Sequence, residues 1–186
     1  MKKMLTLIAM ACASSWVMAQ SNSDELFEGL NVSFGVASIS TKETIAGTES
    51  FKTSAAQAKI NYTFALAFPA KLGITATMDL KNAKAGTSDV LASKAPSEFT
   101  IEPGVLLKSD SLLYAKLGTF AARYENSTDA RALSGRTVGL GIKHYIHGDN
   151  FIQFELTTRT SDAINAGLGD AKYKQTMPSL LIGHTY

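Results

Sequence analysis

Apolar and polar residues alternate over residues 56–81 more regularly than anywhere else in the chain. Every second position is apolar in 58–68 and again in 72–81, and Pro69 lies between the two runs. Because successive side chains of a strand point to opposite faces, the segment is predicted to form a hairpin with one apolar and one polar face. Each strand would have about ten residues, which is enough to cross a bilayer when tilted.

The same alternation recurs in six further segments, so eight strands are predicted. Besides the hairpin they cover residues 30–40, 99–108, 112–124, 137–146, 151–159 and 173–186. The connections alternate in length. Four polar loops are predicted at 41–52, 82–97, 125–135 and 161–171, and short turns at 69–71, 109–111 and 147–150. Long loops on one side and short periplasmic turns on the other are typical of a bacterial up-and-down barrel with an even number of strands.

The N-terminus has the features of an export signal. Lys2 and Lys3 precede an apolar run, and Val17-Met18-Ala19 offers small or aliphatic residues for cleavage before Gln20. We therefore predict a signal peptide at residues 1–19 and a barrel domain at 20–186. A lipoprotein attached through Cys12 is the alternative. Cys12 is the only cysteine, so no disulfide framework or thiolate metal site is expected after cleavage.

Charge and hydropathy narrow the class of protein. Without Lys2 and Lys3, basic and acidic residues balance at 16 each, which does not favour nucleic-acid binding. After residue 19 no run of about twenty apolar residues predicts a membrane helix, so any membrane span would have to be a closed barrel. Aromatic residues are predicted to form two interfacial girdles. On the turn side they are Phe68, Phe151 and Tyr186, and on the loop side Phe51, Phe99 and Tyr124.

The polar face of the predicted strands carries nine charged residues. They are Lys59, Asp79, Lys81, Glu102, Lys108, Lys116, Lys143, Glu155 and Arg159. Unpaired charges are very costly in a dry core, and a lipid-facing Lys or Arg near the midplane costs about 2–4 kcal/mol. We therefore place this face inside the barrel, as a charge network that fills a narrow lumen. A conductive or substrate path along the same charges is the alternative.

Three segments resemble known proteins. Residues 113–118 read LYAKLG, residues 138–145 read VGLGIKHY and residues 180–186 read LLIGHTY. These resemble the small outer-membrane β-barrels of the opacity-porin and OmpA-transmembrane-domain-like families, over essentially the whole chain after the signal. The resemblance implies that the barrel-assembly machinery recognises Leu180, Ile182 and Tyr186, although His184 departs from the usual pattern. It also implies outer-membrane lipid and lipopolysaccharide as partners. No periplasmic peptidoglycan-binding domain is expected after the last strand.

Catalytic chemistry has little support in the sequence. The three histidines, His144, His147 and His184, show no HExxH spacing, and there is no GxSxG motif. Some related barrels are lipid A acyltransferases or deacylases that use His, Ser and an acid. Ser179 and His184 would suit that role but lie on opposite parities. No catalytic, cofactor-binding or metal residues are therefore predicted, and no cofactor.

The sequence thus predicts an all-β, eight-stranded antiparallel transmembrane barrel, exported to the bacterial outer membrane. Its expected role is non-enzymatic: envelope structure, surface interaction through the loops, or limited passage of small solutes. Two alternatives stay open. One is a soluble periplasmic lipocalin-like barrel that binds an apolar ligand, and the other is a lipid A-modifying enzyme.

Overall fold

The computed structural model describes residues 27–45, 47–80, 83–85, 91–125, 130–161, 164–165 and 170–186. The predicted signal peptide, Cys12 and Lys81 lie outside these residues. Within them the chain forms ten strands: β1 (Gly29–Ile45), β2 (Gly47–Ala67), β3 (Ala70–Asp79), β4 (Ala83–Ala85), β5 (Leu91–Lys108), β6 (Ser111–Glu125), β7 (Ala130–His147), β8 (Asn150–Ser161), β9 (Ile164–Asn165) and β10 (Asp170–Thr185). No helix in the described part of the chain is long and apolar enough to cross a membrane.

The long strands close into a barrel. Each pairs with its neighbour antiparallel in the order β1-β2-β3-β5-β6-β7-β8-β10, and β10 pairs back to β1. The short β4 pairs with β5, and β9 pairs with β10. The eight-stranded antiparallel barrel predicted from the alternation is therefore confirmed.

Two ends of the barrel can be distinguished. The turn end holds the tight connections β2–β3, β5–β6 and β7–β8 together with Gly29 and Thr185, where the two ends of the described barrel meet. There the Tyr186 amide donates to the Leu30 carbonyl at 2.8 Å. The opposite end is the loop end, where the remaining strands are joined.

The predicted long loops are shorter than expected. The β1–β2 ladder continues to the Ile45–Gly47 pair, and the β6–β7 ladder continues to the Glu125–Ala130 pair. Strand β5 begins at Leu91, within the segment predicted as a loop. Backbone hydrogen bonds continue where the apolar alternation has faded, because a ladder needs no apolar side chains. The alternation therefore marks only part of each strand.

The barrel wall is apolar outside and polar inside. Outward side chains include Leu140 and Ile182, which are 62% and 63% exposed, whereas the inward Thr137 is completely buried. Inward buried residues and outward, more exposed residues alternate along the whole of β8. A lipocalin-like barrel needs the apolar face inside, so that alternative is wrong for the residues described.

One residue predicted for the interfacial girdles does not lie on the outer surface. Phe68 and Tyr186 are exposed at the turn end and Phe99 is exposed farther up the wall, but Phe151 is fully buried inside the barrel. Phe151 shares the inward parity of Gln153 on β8, which its position near a strand end had obscured. The Phe51 and Tyr124 side chains lie outside the described part of the structure.

Close packing of the strands depends on glycine at a few inward positions. A Cβ atom on Gly35 would overlap the Leu180 carbonyl oxygen of the neighbouring strand β10. A Cβ atom on Gly118 would similarly overlap the Phe99 carbonyl oxygen of β5. Glycine at these positions lets the wall curve tightly enough to close around a narrow interior.

Candidate functional site

The candidate site is the charged interior of the barrel. Its side chains come from inward positions on β2, β3, β5, β6, β7 and β8. Because strand neighbours alternate, one residue in two on each of these strands reaches the axis. The narrow diameter of an eight-stranded barrel brings side chains from opposite walls into contact.

Glu155 on β8 is the centre of the first part of the network. Lys59 donates to Glu155 and, at 2.8 Å, to Glu102 on β5. The Lys116 ammonium lies 3.2 Å from the second oxygen of Glu155. The Tyr114 hydroxyl also donates to Glu155, at 2.7 Å. These contacts cross the barrel and join four of its strands.

Arg159 is the centre of the second part. Its guanidinium donates to Asp79 through Nη1 at 2.7 Å and through Nη2 at 3.4 Å. Its Nε donates to Glu98. Lys116 lies 2.8 Å from Glu98, so it links the Arg159 part to the Glu155 part. The two parts thus form one continuous chain of charge-assisted hydrogen bonds.

The charges in the described interior network balance. Apart from Lys71, which pairs with Glu28 at the barrel mouth, four basic residues face four acidic ones: Lys59, Lys116, Lys143 and Arg159 with Asp79, Glu98, Glu102 and Glu155. Their exposure is 6% or less, and that of Arg159 is zero. Water therefore hardly reaches any of them. Paired, hydrogen-bonded charges are the form in which such groups are tolerated away from water.

Aromatic and aliphatic side chains fill the interior toward the turn end. Phe27, just before β1, is fully buried and its ring meets Tyr145 edge to face, with centroids 4.7 Å apart. The cluster comprises Phe27, Leu106, Leu112, Tyr114, Tyr145 and Phe151. The next residue, Glu28, pairs with Lys71 at 2.5 Å and so helps hold the segment across the barrel mouth.

Lys143 lies where the charge network meets this apolar cluster. Its ammonium donates to Asn31 Oδ1 at 3.1 Å and lies 4.5 Å from the centroid of the Phe151 ring. The amide oxygen and the aromatic face both favour a cation. Lys143 therefore ties β7 to β1 and to the aromatic cluster.

The structure places seven of the nine predicted interior charges inside the barrel: Lys59, Asp79, Glu102, Lys116, Lys143, Glu155 and Arg159. Lys108 is a correction, because it is exposed. The β5–β6 register shifts between Leu106 and Lys108, so the parity inferred from Glu102 no longer holds at the turn. Lys81 lies outside the described residues.

Sequence reasoning missed Glu98 and Tyr114. Glu98 falls one residue before the predicted start of its strand at 99, although its even number shares the inward parity of Glu102. Tyr114 was not recognised as an inward residue, although it shares the parity of Lys116. Extending the alternation beyond the apolar positions would have found both.

The predicted assembly residues lie on the outer wall. Leu180, Ile182 and Tyr186 are 46–63% exposed on β10 and just after it. The Tyr186 ring meets His184 edge to face. These side chains form part of the apolar outer surface.

The imagined Ser179–His184 pair is separated by the barrel wall. Ser179 is buried inside, whereas His184 is partly exposed and its Nδ1 lies 3.2 Å from Asn150 Oδ1. Among the described residues, no group of three or more His, Cys, Asp or Glu could hold a metal ion. The Ser179 and His184 side chains therefore do not meet in the described structure.

Comparison with solved structures identifies the fold. Neisserial surface protein A matches with a TM-score of 0.58 at 12% identity, over 86% of this chain and 98% of that one. Ail, the attachment invasion locus protein of Yersinia pestis, matches with a TM-score of 0.54 at 16% identity, over 84% and 99%. The outer membrane protein OprG from Pseudomonas aeruginosa matches with a TM-score of 0.50 at 13% identity, over 86% and 97%.

No model of a protein family matches the sequence, and no curated protein matches it. At 12–16% identity the likeness to solved structures concerns the fold. At the level of the fold, the resemblance to small outer-membrane barrels is confirmed.

Proposed function

We propose that this chain, which has the fold of small outer-membrane β-barrels, is a sealed, non-enzymatic barrel of the bacterial outer membrane. Its role is to contribute to envelope structure and to present the loop end for surface interaction. The burial of the paired charge network across the lumen carries the proposal. A path for solutes would need water around those charges, and their exposure is 6% or less.

Membrane insertion is supported by the outer surface. Large apolar side chains cover it on all eight long strands, for example Phe34, Ile74 and Phe154. Leaving such a surface in water would forfeit about 25 cal/mol for each Å² of apolar area. A closed barrel also satisfies its backbone hydrogen bonds internally, as lipid requires. Outer-membrane lipid and lipopolysaccharide would then surround the wall.

The orientation follows from the two ends. In outer-membrane barrels the short turns and the termini lie in the periplasm. The turn end of this barrel would therefore face the periplasm and the loop end the exterior. Export would use the signal peptide predicted at residues 1–19.

Fractionation tests membrane insertion. The full-length gene would be expressed in a Gram-negative host, and outer membranes would be run on gels boiled and unboiled. The proposal predicts a Sarkosyl-resistant band whose mobility shifts on boiling. Recovery as a soluble periplasmic protein would contradict it.

Planar-bilayer recording tests the seal. Refolded protein that shows heat-modifiable mobility should give no stable conductance steps in 1 M KCl. An open eight-stranded pore would give reproducible steps instead, and limited solute passage would then replace the sealed barrel as the proposed function.

Assembly would depend on the last strand. Tyr186 is 55% exposed on the outer wall, where assembly factors can reach it before insertion. Deleting Tyr186 should lower the outer-membrane yield, whereas Tyr186→Phe, which keeps the aromatic ring, should not. Normal yield of the deletion variant would exclude this residue as an assembly signal.

A further inference from the structure

A depression in the outer wall spans strands β3 to β7, near the edge of the apolar surface that lies toward the loop end. Phe99, Thr119 and Arg136 lie side by side on β5, β6 and β7, since Phe99 pairs with Thr119 and Thr119 with Arg136. The next row toward the loop end has only small side chains: Ser97, Ala121 and Ser134. The depression measures about 530 Å³.

The depression arises from a change in side-chain size along the strands. The row on the turn side consists of Ile101, Leu117 and Val138, which are 45–50% exposed. Replacing such side chains by Ser, Ala and Thr leaves a hollow between Phe99 and Arg136. Neighbouring strands lie about 4.8 Å apart, so the four strands involved span roughly 14 Å.

The outward side chains around the depression change from apolar to basic toward the loop end. Among the described side chains of β7, Val138 is the last large apolar one that faces outward in this direction, and Arg136 is the next outward position. Among the residues that the structure describes, no carboxylate forms an ion pair with Arg136. The hydroxyls of Ser97, Thr119 and Ser134 lie on the same exposed face and offer hydrogen bonds.

We propose that this depression is the binding site of one phosphate-bearing glycolipid of the outer leaflet. Arg136 would bind the phosphate, the hydroxyls would bind the sugar, and an acyl chain would lie over Ile101, Leu117 and Val138. The width favours a sugar headgroup over a single acyl chain. The inference rests on the proposed membrane insertion.

Charge elsewhere on the wall agrees with an anionic leaflet. The other charged side chains that the structure describes as facing outward near the loop end are also basic: Lys42, Lys52 and Lys174. Lys42 and Lys174 are direct partners across β1 and β10, which lie opposite the centre of the depression and three and two strands away from the β7 strand of Arg136. They do not line the depression, so they serve as a control for general charge attraction.

Native mass spectrometry of the refolded protein, titrated with bisphosphorylated lipid A in detergent, tests the site. Arg136→Gln should weaken lipid A retention by about tenfold. Ala121→Leu, which fills the hollow, should weaken it similarly, and Lys174→Gln should change it little. Every variant is first checked for heat-modifiable mobility, so a failure to fold or insert is distinguished from a failure to bind.

Three results would overturn the proposal. Equal losses in Arg136→Gln and Lys174→Gln would indicate general charge attraction. Retention of phosphatidylglycerol equal to that of lipid A would show that the sugar is not recognised. Equal retention of dephosphorylated lipid A would show that the phosphate is not recognised. A dimer that disappears in Ala121→Leu, without any retained lipid, would make the depression a contact between two copies of the chain.

Discussion

Glu155 shows how one buried carboxylate holds several strands of this barrel together. It accepts hydrogen bonds from Lys59, Lys116 and Tyr114, which come from β2 and β6. Removing one partner from such a group leaves charges that water cannot solvate. A buried ion pair adds little net stability when complete, but breaking it is costly.

Replacing Glu155 by Gln should therefore destabilise the barrel by about 3–5 kcal/mol, because Lys59 and Lys116 would each lose a carboxylate partner. The measurement is urea unfolding in lipid vesicles, followed by mobility on unboiled gels. Glu28→Gln is the matched control. Its ion pair with the buried Lys71 lies at the mouth, where the Glu28 side chain is 37% exposed and water can partly replace it, so its loss should cost less than the loss of Glu155. Equal effects would show that the interior network contributes no more than the partly exposed pair at the mouth.

The sequence predicted the interior charges well wherever parity was undisturbed. Seven residues followed directly from alternation with apolar neighbours. Lys108 failed because a register shift precedes it, and no residue type marks that shift. The pairing of Arg159 with both Asp79 and Glu98 could not be predicted, since it depends on which strands face each other across the lumen.

At the scale of the element, the closure between β1 and β10 is the least local feature of the fold. It joins the first and last strands in a register that includes Gly35 with Leu181. Alternation within each strand fixes which face is apolar, but it does not fix this register. The strand ends were also missed, because ladders continue beyond the apolar stretch.

Gly35→Ala should impair this closure, because its Cβ would overlap the Leu180 carbonyl and force β1 away from β10. We expect a loss of about 1–3 kcal/mol in unfolding free energy and a lower yield of the heat-modifiable form. Ser33→Ala, on the same strand and face, removes atoms and adds none. If both variants fold equally well, close packing at Gly35 is not needed for closure.

For the whole molecule, two layers close the interior: the aromatic cluster around Phe27 at the turn end, and the charge network above it. Phe27 precedes the first strand and lies outside every segment that the alternation predicts as a strand. Its role could not be predicted, because it depends on the chain entering the barrel mouth.

Phe27→Ala should lower the unfolding free energy by about 3–5 kcal/mol, as expected for an emptied aromatic site. It should still give no conductance in planar bilayers, because the charge network remains in place. Stable conductance steps in this single variant would mean that Phe27, and not the network, seals the barrel.

The central claim is that the apolar face meets lipid and the charged face fills the interior. Single cysteines at Leu156 and Thr157, in a Cys12→Ser background, would carry nitroxide labels after reconstitution into vesicles. These residues are neighbours on β8, at nearly the same depth, and face opposite sides of the wall. The label at 156 should collide freely with oxygen and be shielded from a water-soluble nickel complex, and the label at 157 should be shielded from both. Strong collision of the nickel complex with the label at 156 would contradict the account, because the apolar face would then lie in water.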